Sequence, residues 1–327
     1  MNKNKRAKDK KIEGRKFLDN RKLIWVAVAT VSIIILTGTA FYFFPHQPDP
    51  PKAAIIDQLS SSQLTDDFRY PNQTFIEAAK ELLYQRFSEV DYYSDNATVD
   101  RYRLLSALNY KLILWRTHSA LNLESKYIAI CSSEKYGSQN YEQYLKNGQL
   151  TLCNITDDPN LYYAINPKFI QEVMTGKFED TVIILMSCNG LRQGFYTTAD
   201  TFLGKGAKAF ISWNGWISTY DNDDGITLLL QYLIEENQTI EESVKKIPVY
   251  VSSFWPECQL RCHPLDISNY TIPDYRQTQI SGSAMFVLTA SSMSNFGPRS
   301  VPFCFLSVSS VSKRFHIIGC AECQRPD

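Results

Sequence analysis

The sequence lacks a net charge, an internal repeat and any low-complexity tract. Its 34 Lys and Arg residues balance its 34 Asp and Glu residues, which argues against a chain-wide surface for nucleic acid. No segment recurs with a period of roughly 20 to 50 residues, so solenoids and propellers are excluded. The 327 residues, of which 44% are apolar, suffice for one large globular domain with extra segments, or for two small domains.

Charge is also missing from one long run, residues 23–44 (LIWVAVATVSIIILTGTAFYFF). At ~1.5 Å per helical residue the run is long enough to cross a hydrocarbon core of ~30 Å. A cleaved signal peptide is the alternative, but its apolar part is usually only ~7 to 15 residues long, and no small-residue cleavage site follows here. We therefore predict one uncleaved transmembrane helix that contacts a lipid bilayer.

The zero net charge conceals two oppositely charged parts. Residues 1–22 hold ten Lys or Arg and three Asp or Glu, a net charge of +7, which leaves −7 for the rest of the chain. Because basic flanks stay in the cytoplasm, we expect a cytoplasmic N-terminal tail and an extracytoplasmic C-terminal part, anchored in the cell membrane. Five N-x-S/T sequons are compatible with this export, at Asn72, Asn96, Asn154, Asn237 and Asn269.

The predicted domain boundaries follow from composition. Residues 45–52 (PHQPDPPK) contain four prolines, which cannot continue a helix and favour an extended linker. We expect the folded domain over residues 53–247. Residues 248–327 are a Cys-containing extension to which we assign no role.

The domain shows short apolar runs that alternate with segments of helical spacing, the pattern of a layered α/β fold. We expect strands at residues 53–56 and 90–93 and a helix at 72–87. Thr98 or Asp100 can cap a further helix over residues 101–108.

Three runs are apolar, apart from Ser212 in the third, as expected of central parallel strands that are covered on both faces. They are LILW (residues 112–115), VIILM (182–186) and AFISW (209–213). The first two each deliver one chemically capable side chain just beyond the strand, His118 and Cys188. In open α/β sheets, ligands bind at this edge.

The pair matters more than either residue alone, since a single His or Cys is usually structural. A thiol needs a neighbouring base or cation to become a thiolate near neutral pH, and adjacent parallel strands would place His118 and Cys188 within reach. Gly190 and the small residues nearby would let backbone N–H groups approach an oxyanion.

Several segments of the sequence resemble the caspase-like cysteine peptidases, which include caspases, metacaspases, gingipain, clostripain and CHAT domains. The resemblance runs through YKLILWRTHSA, KYIAICSSEKY, FEDTVIILMSCNGL and ADTFLGKGAKAFISWNGWIS, followed by Asp221. It covers roughly residues 53–247 and is greatest to a prokaryotic, archaeal branch. The resemblance implies a layered α/β/α fold with a mostly parallel central sheet.

The resemblance also implies a catalytic dyad of His118 and Cys188. In that family the backbone N–H groups of the nucleophile and of a Gly after the His bind the oxyanion; here these positions are Cys188 and Ser119, so the second donor departs from the pattern. Metacaspase-like members carry an Asp two residues before the Cys, where this chain has Met186.

Three further residues have two interpretations each. Glu134 could orient His118 or gate the substrate, or it could be an exposed hairpin carboxylate. Trp213 and Asp221 could bind a basic P1 side chain, as the family builds part of its specificity pocket there. Alternatively, Trp213 packs on the sheet and Asp221 caps a helix that begins at Gly225.

The eight cysteines would face a medium in which disulfides persist. Cys131 and Cys153 flank a hairpin and could form one. Cys258, Cys262 and His263 with the later cysteines resemble a zinc site, but outside a cell a disulfide or free thiols are favoured. Asp223 and Asp224 have no paired His, so we predict no metal site and no cofactor.

The leading hypothesis is a membrane-anchored extracytoplasmic cysteine peptidase that hydrolyses a peptide or protein substrate. The alternative is a catalytically inactive ectodomain that uses the same sheet edge to bind a peptide or protein partner, which Ser119 and the unusual tail favour. A third possibility is a disulfide-framed surface module in which Cys188 is paired.

Overall fold

A computed structural model describes residues 25, 28–33, 50–66, 69–138, 141–155, 158–251, 257–265, 267 and 269–276. The predicted basic tail, most of the predicted membrane span and most of the linker lie outside these residues. Trp25 and the stretch 28–33 are helical. Within the described part of the chain, no helix has both the length and the apolar character needed to cross a membrane.

The main sheet has six strands: β1 (Lys52–Asp57), β2 (Val90–Tyr93), β3 (Tyr110–Arg116), β8 (Val182–Met186), β9 (Ala209–Trp213) and β10 (Leu260–His263). Their order in the sheet is β10-β9-β8-β3-β1-β2. Every neighbouring pair is parallel except β9 with β10. This confirms the prediction of an α/β fold with a mostly parallel sheet.

A second, antiparallel sheet lies in the chain between β3 and β8. Its order is β4-β5-β7-β6, with β4 at Ser119–Asn122, β5 at Tyr127–Lys135, β6 at Leu150–Asn154 and β7 at Leu161–Ile165. A disulfide joins Cys131 of β5 to Cys153 of β6, which confirms the predicted bridge. It ties together two strands that both pair with β7.

Helices cover both faces of the main sheet. Successive residues of a strand point to opposite faces, so each of the inner strands contributes apolar side chains to two cores, one under each layer of helices. The helices are α1 (Gln73–Leu83), α2 (Val99–Leu104), α3 (Glu142–Lys146), α4 (Pro167–Glu172), α5 (Thr197–Gly204), α6 (Thr219–Leu230) and α7 (Ile240–Lys246). Leu112 and Leu114 pack with α1 and α6 in one core. Ile113 and Trp115 pack with α2, α4 and α5 in the other. The result is a three-layer arrangement.

Helix caps explain where the observed bounds differ from the predicted ones. Asn72 caps α1 by accepting the N–H of Phe75, and Thr98 caps α2 as predicted. Helix α6 begins at Thr219 rather than at Gly225, because Ser218 caps it. Each cap satisfies a backbone donor that the first helical turn leaves open.

The main sheet continues beyond residue 247, the predicted end of the domain. Strand β10 pairs with β9, with Cys262 opposite Ile211. The N–H of Asn214 donates to the carbonyl of Gln259 at 3.0 Å. This part of the C-terminal extension therefore belongs to the sheet.

Candidate functional site

The candidate site lies at the carboxyl ends of β3 and β8, which are adjacent and parallel as predicted. Arg116 is paired with Met186 at the ends of the two strands. His118 and Cys188 therefore each follow two residues after the last paired position. The N–H of Thr117 donates to the carbonyl of Met186 at 3.2 Å, which holds the two connecting segments side by side.

A second contact joins the His and Cys segments. The hydroxyl of Ser119 donates to the carbonyl of Cys188 at 2.5 Å. Ser119 is the first residue of β4 and is half-buried. The residue that follows His118 therefore packs directly against the backbone of the candidate nucleophile.

The backbone of His118 is held from two directions. Its N–H donates to the side-chain oxygen of Gln58 at 3.1 Å, and its carbonyl accepts the N–H of Cys131 at 3.0 Å. Tyr70 meets the His118 ring edge-on at a centroid distance of 6.3 Å. The backbone that carries the imidazole is therefore anchored by both β1 and β5.

Gln58 is a functional candidate that sequence reasoning missed. It follows β1, is fully buried, and its amide nitrogen donates to the carbonyl of Ser132 at 3.3 Å. The available sequence signal was a Gln just after a predicted strand, the same position that drew attention to His118 and Cys188 after their strands.

Cys188 is a free, half-buried thiol, so it is not in a disulfide within the described structure. Its S–H donates to the carbonyl of Ile217 at 3.5 Å. Burial raises the pKa of the Cys188 thiol, and backbone hydrogen bonds at Ile217 and at Cys188 itself offset only part of this effect. Burial therefore favours the neutral thiol, and a neutral thiol needs a base to become a nucleophile.

The loop after Cys188 is packed tightly onto β9. Asn189 has a positive φ of 60°, which Asn tolerates better than most residues, and its N–H donates to the carbonyl of Gly215 at 2.8 Å. A Cβ at Gly190 would lie 1.9 Å from the hydroxyl oxygen of Ser212. The absence of a Cβ at Gly190 thus permits this close packing.

A buried group of charged side chains lies at the same sheet edge, around Arg116, two residues before His118. Arg116 donates to both carboxylate oxygens of Asp223, each at 2.8 Å, and to Asp57 at 2.9 Å. Burial acts to lower the pKa of Arg116, but hydrogen bonds and charges from Asp223 and Asp57 outweigh it and raise that pKa. The group joins β1, β3 and α6, and removal of one member of such a buried group typically costs ~3 to 5 kcal/mol.

Trp213 corrects one prediction. Its side chain is fully buried in the core beneath α6, and its indole N–H donates to Asn222 at 2.7 Å. Gly225 packs against the ring, where a Cβ would lie 2.9 Å from it. Trp213 therefore packs on the sheet and offers no surface to a substrate side chain.

Asp221 lies in the first turn of α6 and is half-buried. Its carboxylate accepts the hydroxyl of Ser218 at 2.8 Å, and its N–H donates back to the same hydroxyl at 3.1 Å. Ser218 is thus the cap, and Asp221 is its partner. Ile217, whose carbonyl contacts the Cys188 thiol, comes just before this cap.

Glu134 corrects a second prediction. It is buried, so it is not an exposed hairpin carboxylate. Its oxygens accept the N–H of Val99 at 2.7 Å and the hydroxyl of Tyr141 at 3.3 Å. Burial raises the pKa of Glu134. The carboxylate therefore stabilises the start of α2 through Val99 and is held by Tyr141.

The remaining cysteines give no metal site in the part of the chain that the structure describes. Cys258 and Cys262 are free thiols, and no group of three or more His, Cys, Asp or Glu residues there could hold a metal ion. Cys304, Cys320 and Cys323 lie outside the described residues.

No protein-family model matches this sequence, and no curated protein is similar to it.

Proposed function

We propose that the folded domain is a cysteine peptidase in which Cys188 is the nucleophile and His118 the general acid and base. One observation carries the proposal: Arg116 and Met186 are paired on adjacent parallel strands, and His118 and Cys188 follow at equal distance. A base and a thiol at one edge are the minimum apparatus for thiol attack on a carbonyl.

In the proposed reaction, His118 accepts the proton of the Cys188 thiol as the sulfur bonds to the carbonyl carbon of the peptide. The tetrahedral adduct collapses, the C–N bond breaks, and His118 returns the proton to the leaving amine. Water then attacks the thioester with His118 as base, which releases the carboxylate and restores the thiol.

The developing oxyanion needs preorganised donors. The backbone N–H groups of Cys188 and Ser119 are our candidates. Ser119 is opposite Ile130 in the β4–β5 pair, and Cys131 donates to His118 one position earlier. Because bonded and non-bonded pairs alternate along antiparallel strands, the Ser119 N–H points away from β5 and is not used in that ladder.

We further propose that the domain is a caspase-like, archaeal member anchored in the cell membrane by residues 23–44. The order of the six-stranded sheet, with His118 and Cys188 after its two neighbouring strands β3 and β8, supports the caspase-like fold. The charge-free run after ten basic residues supports the membrane anchor. Protease added to intact cells should remove the domain beyond Pro45 and leave residues 1–22 protected; external access to a tag at residue 1 would refute this topology.

A second candidate function is binding without hydrolysis, to a peptide or protein partner at the same edge. The raised pKa of the Cys188 thiol and the Ser at position 119 favour it. Both observations reduce the readiness of the site for catalysis, but neither blocks access of a peptide.

The test is hydrolysis of a denatured protein such as casein, together with labelling by an iodoacetamide probe. Cys188→Ala should abolish turnover, and His118→Ala should lower kcat by at least about 100-fold, the usual contribution of an acid–base group. Cys258→Ala is the matched control, because Cys258 is a buried free thiol outside the dyad. Unchanged hydrolysis by purified Cys188→Ala would refute the peptidase assignment.

A further inference from the structure

Strand β4 has an open edge beside the candidate nucleophile. It is the last strand of the small sheet, and among the residues that the structure describes no strand pairs with its far side. Its four residues are half-buried. An edge strand of this kind presents backbone N–H and C=O groups that can pair with another extended chain.

The register shows which groups face outward. Cys131 donates to the carbonyl of His118 at 3.0 Å, and the next position pairs Ser119 with Ile130. Hydrogen-bonded and non-bonded pairs alternate in an antiparallel ladder. The N–H and C=O groups of Ser119 and Leu121 therefore point to the open side, whereas those of Ala120 pair with β5.

The first outward-facing backbone groups of β4, those of Ser119, lie beside Cys188. Ser119 donates its hydroxyl to the carbonyl of Cys188 at 2.5 Å, so the first outward position of β4 adjoins the nucleophile. Leu121 follows two residues later, at ~6.8 Å along an antiparallel strand. This is the spacing at which alternate residues of a peptide strand present their own N–H and C=O groups.

We propose that an extended peptide segment, next to the bond under attack, pairs its backbone with Ser119 and Leu121 on the open edge of β4. The Ser119 N–H then meets the carbonyl of the bond under attack, as the proposed oxyanion site requires, and the Ser119 C=O and the groups of Leu121 bind the rest of the segment. The proposal rests on the proposed function for the identity of the occupant, a peptide substrate. Backbone pairing gives affinity with little dependence on side chains, as in other complexes that add a strand to a sheet. Selectivity for particular peptide side chains must then come from residues outside β4.

The first experiment measures amide exchange by NMR on the full-length Cys188→Ala chain. The probe is the casein peptide that the wild type cleaves or, if none is cleaved, the one that binds most tightly from the same digest. We expect the Ser119 and Leu121 amides to exchange at least about tenfold more slowly with the peptide bound. Ala120 is the internal control, because its amide already pairs with β5.

The second experiment uses N-methylated copies of the same peptide. Methyl groups on the backbone nitrogens that face β4 should each weaken binding about tenfold, the loss of roughly one hydrogen bond. Methyl groups on the alternate nitrogens, which point away, should have a smaller effect. The peptides methylated on the alternate nitrogens thus serve as controls for those methylated on the nitrogens that face β4.

The outcomes separate the two proposals. Binding without protection of Ser119 and Leu121, or N-methyl effects without alternation, overturns the edge proposal even when the wild type hydrolyses casein. Absence of any bound casein peptide also overturns it. Protection and alternation without hydrolysis support the edge and refute the peptidase function.

Discussion

The backbone N–H of His118 donates a hydrogen bond of 3.1 Å to the side-chain oxygen of Gln58. Gln58 also donates to the carbonyl of Ser132 at 3.3 Å. One fully buried side chain therefore links the end of β1 to the segment that carries the proposed base and to β5. Gln58 is a positioning residue for His118 if the site is catalytic.

Gln58→Leu should lower kcat by about 10 to 100-fold with little change in KM, because it leaves the half-buried His118 N–H without the Gln58 acceptor, a loss of ~1 to 3 kcal/mol. Gln58→Glu keeps an acceptor and should retain more activity, with a shifted pH profile because of the added charge near His118. Gln63→Leu, at an exposed Gln five residues along, is the control. Equal activity of Gln58→Leu and wild type would remove Gln58 from this role.

The pH dependence of Cys188 alkylation should reflect its burial. Because burial raises the pKa of the thiol above its ordinary value of 9.0, iodoacetamide labelling without substrate should rise with a midpoint above that value. Since the folded-state pKa is raised, the folded state should also lose stability as pH rises above 9. Cys258, whose pKa burial raises to about 12, should react later; mass spectrometry separates the two. A labelling midpoint below 8 would indicate a preformed thiolate.

Reduction of the Cys131–Cys153 disulfide should destabilise the domain and weaken the site together. The bridge spans 22 residues, which corresponds to ~3 kcal/mol of unfolding free energy. Cys131 also donates to His118 and accepts the Thr117 hydroxyl at 2.8 Å. Urea unfolding and hydrolysis, with and without dithiothreitol, measure both effects. Cys131→Ser paired with Cys153→Ser should reproduce them, whereas Cys262→Ser, at a half-buried free thiol, should not.

Gly190→Ala should destabilise the domain by ~1 to 3 kcal/mol, the usual cost of overpacking. The new Cβ would meet the Ser212 hydroxyl oxygen at 1.9 Å and its Cβ at 2.5 Å. Ser212→Gly removes both atoms, so the same Gly190→Ala change in that background should cost less. A double-mutant cycle of unfolding free energies tests this coupling; strictly additive losses would contradict the close contact.

Asp221→Asn should erase any preference for Arg or Lys at P1. A carboxylate paired with a desolvated substrate cation is worth ~2 to 5 kcal/mol, or about two orders of magnitude or more in kcat/KM. Because Trp213 is buried, the substrate stem must lie on another surface. A peptide library read with Asp221→Asn and with Asp224→Asn, an exposed neighbour, decides the matter. Unaltered selectivity in Asp221→Asn would leave Asp221 only as the partner of Ser218.

Much of the sheet was predictable from the sequence. The runs 182–186 and 209–213 are strands with the predicted bounds, because short runs of mainly apolar residues are typical of strands covered on both faces. The strand at 90–93 also has its predicted bounds. Chain order, with His118 and Cys188 just after two such runs, was sufficient to locate the candidate site.

The surroundings of the site depended on contacts between distant parts of the chain. Arg116 binds Asp223 across 107 residues, and Gln58 binds His118 across 60. The partners of a side chain are not fixed by its neighbours in sequence, so the sequence left two interpretations for Glu134 and for Trp213. Both side chains are buried, Glu134 against Val99 and Trp213 against Asn222. The sequence by itself determined which strands form and where His118 and Cys188 leave them. Only the tertiary structure decided which side chains surround the pair, because burial and hydrogen-bond partners are set when separate elements pack together.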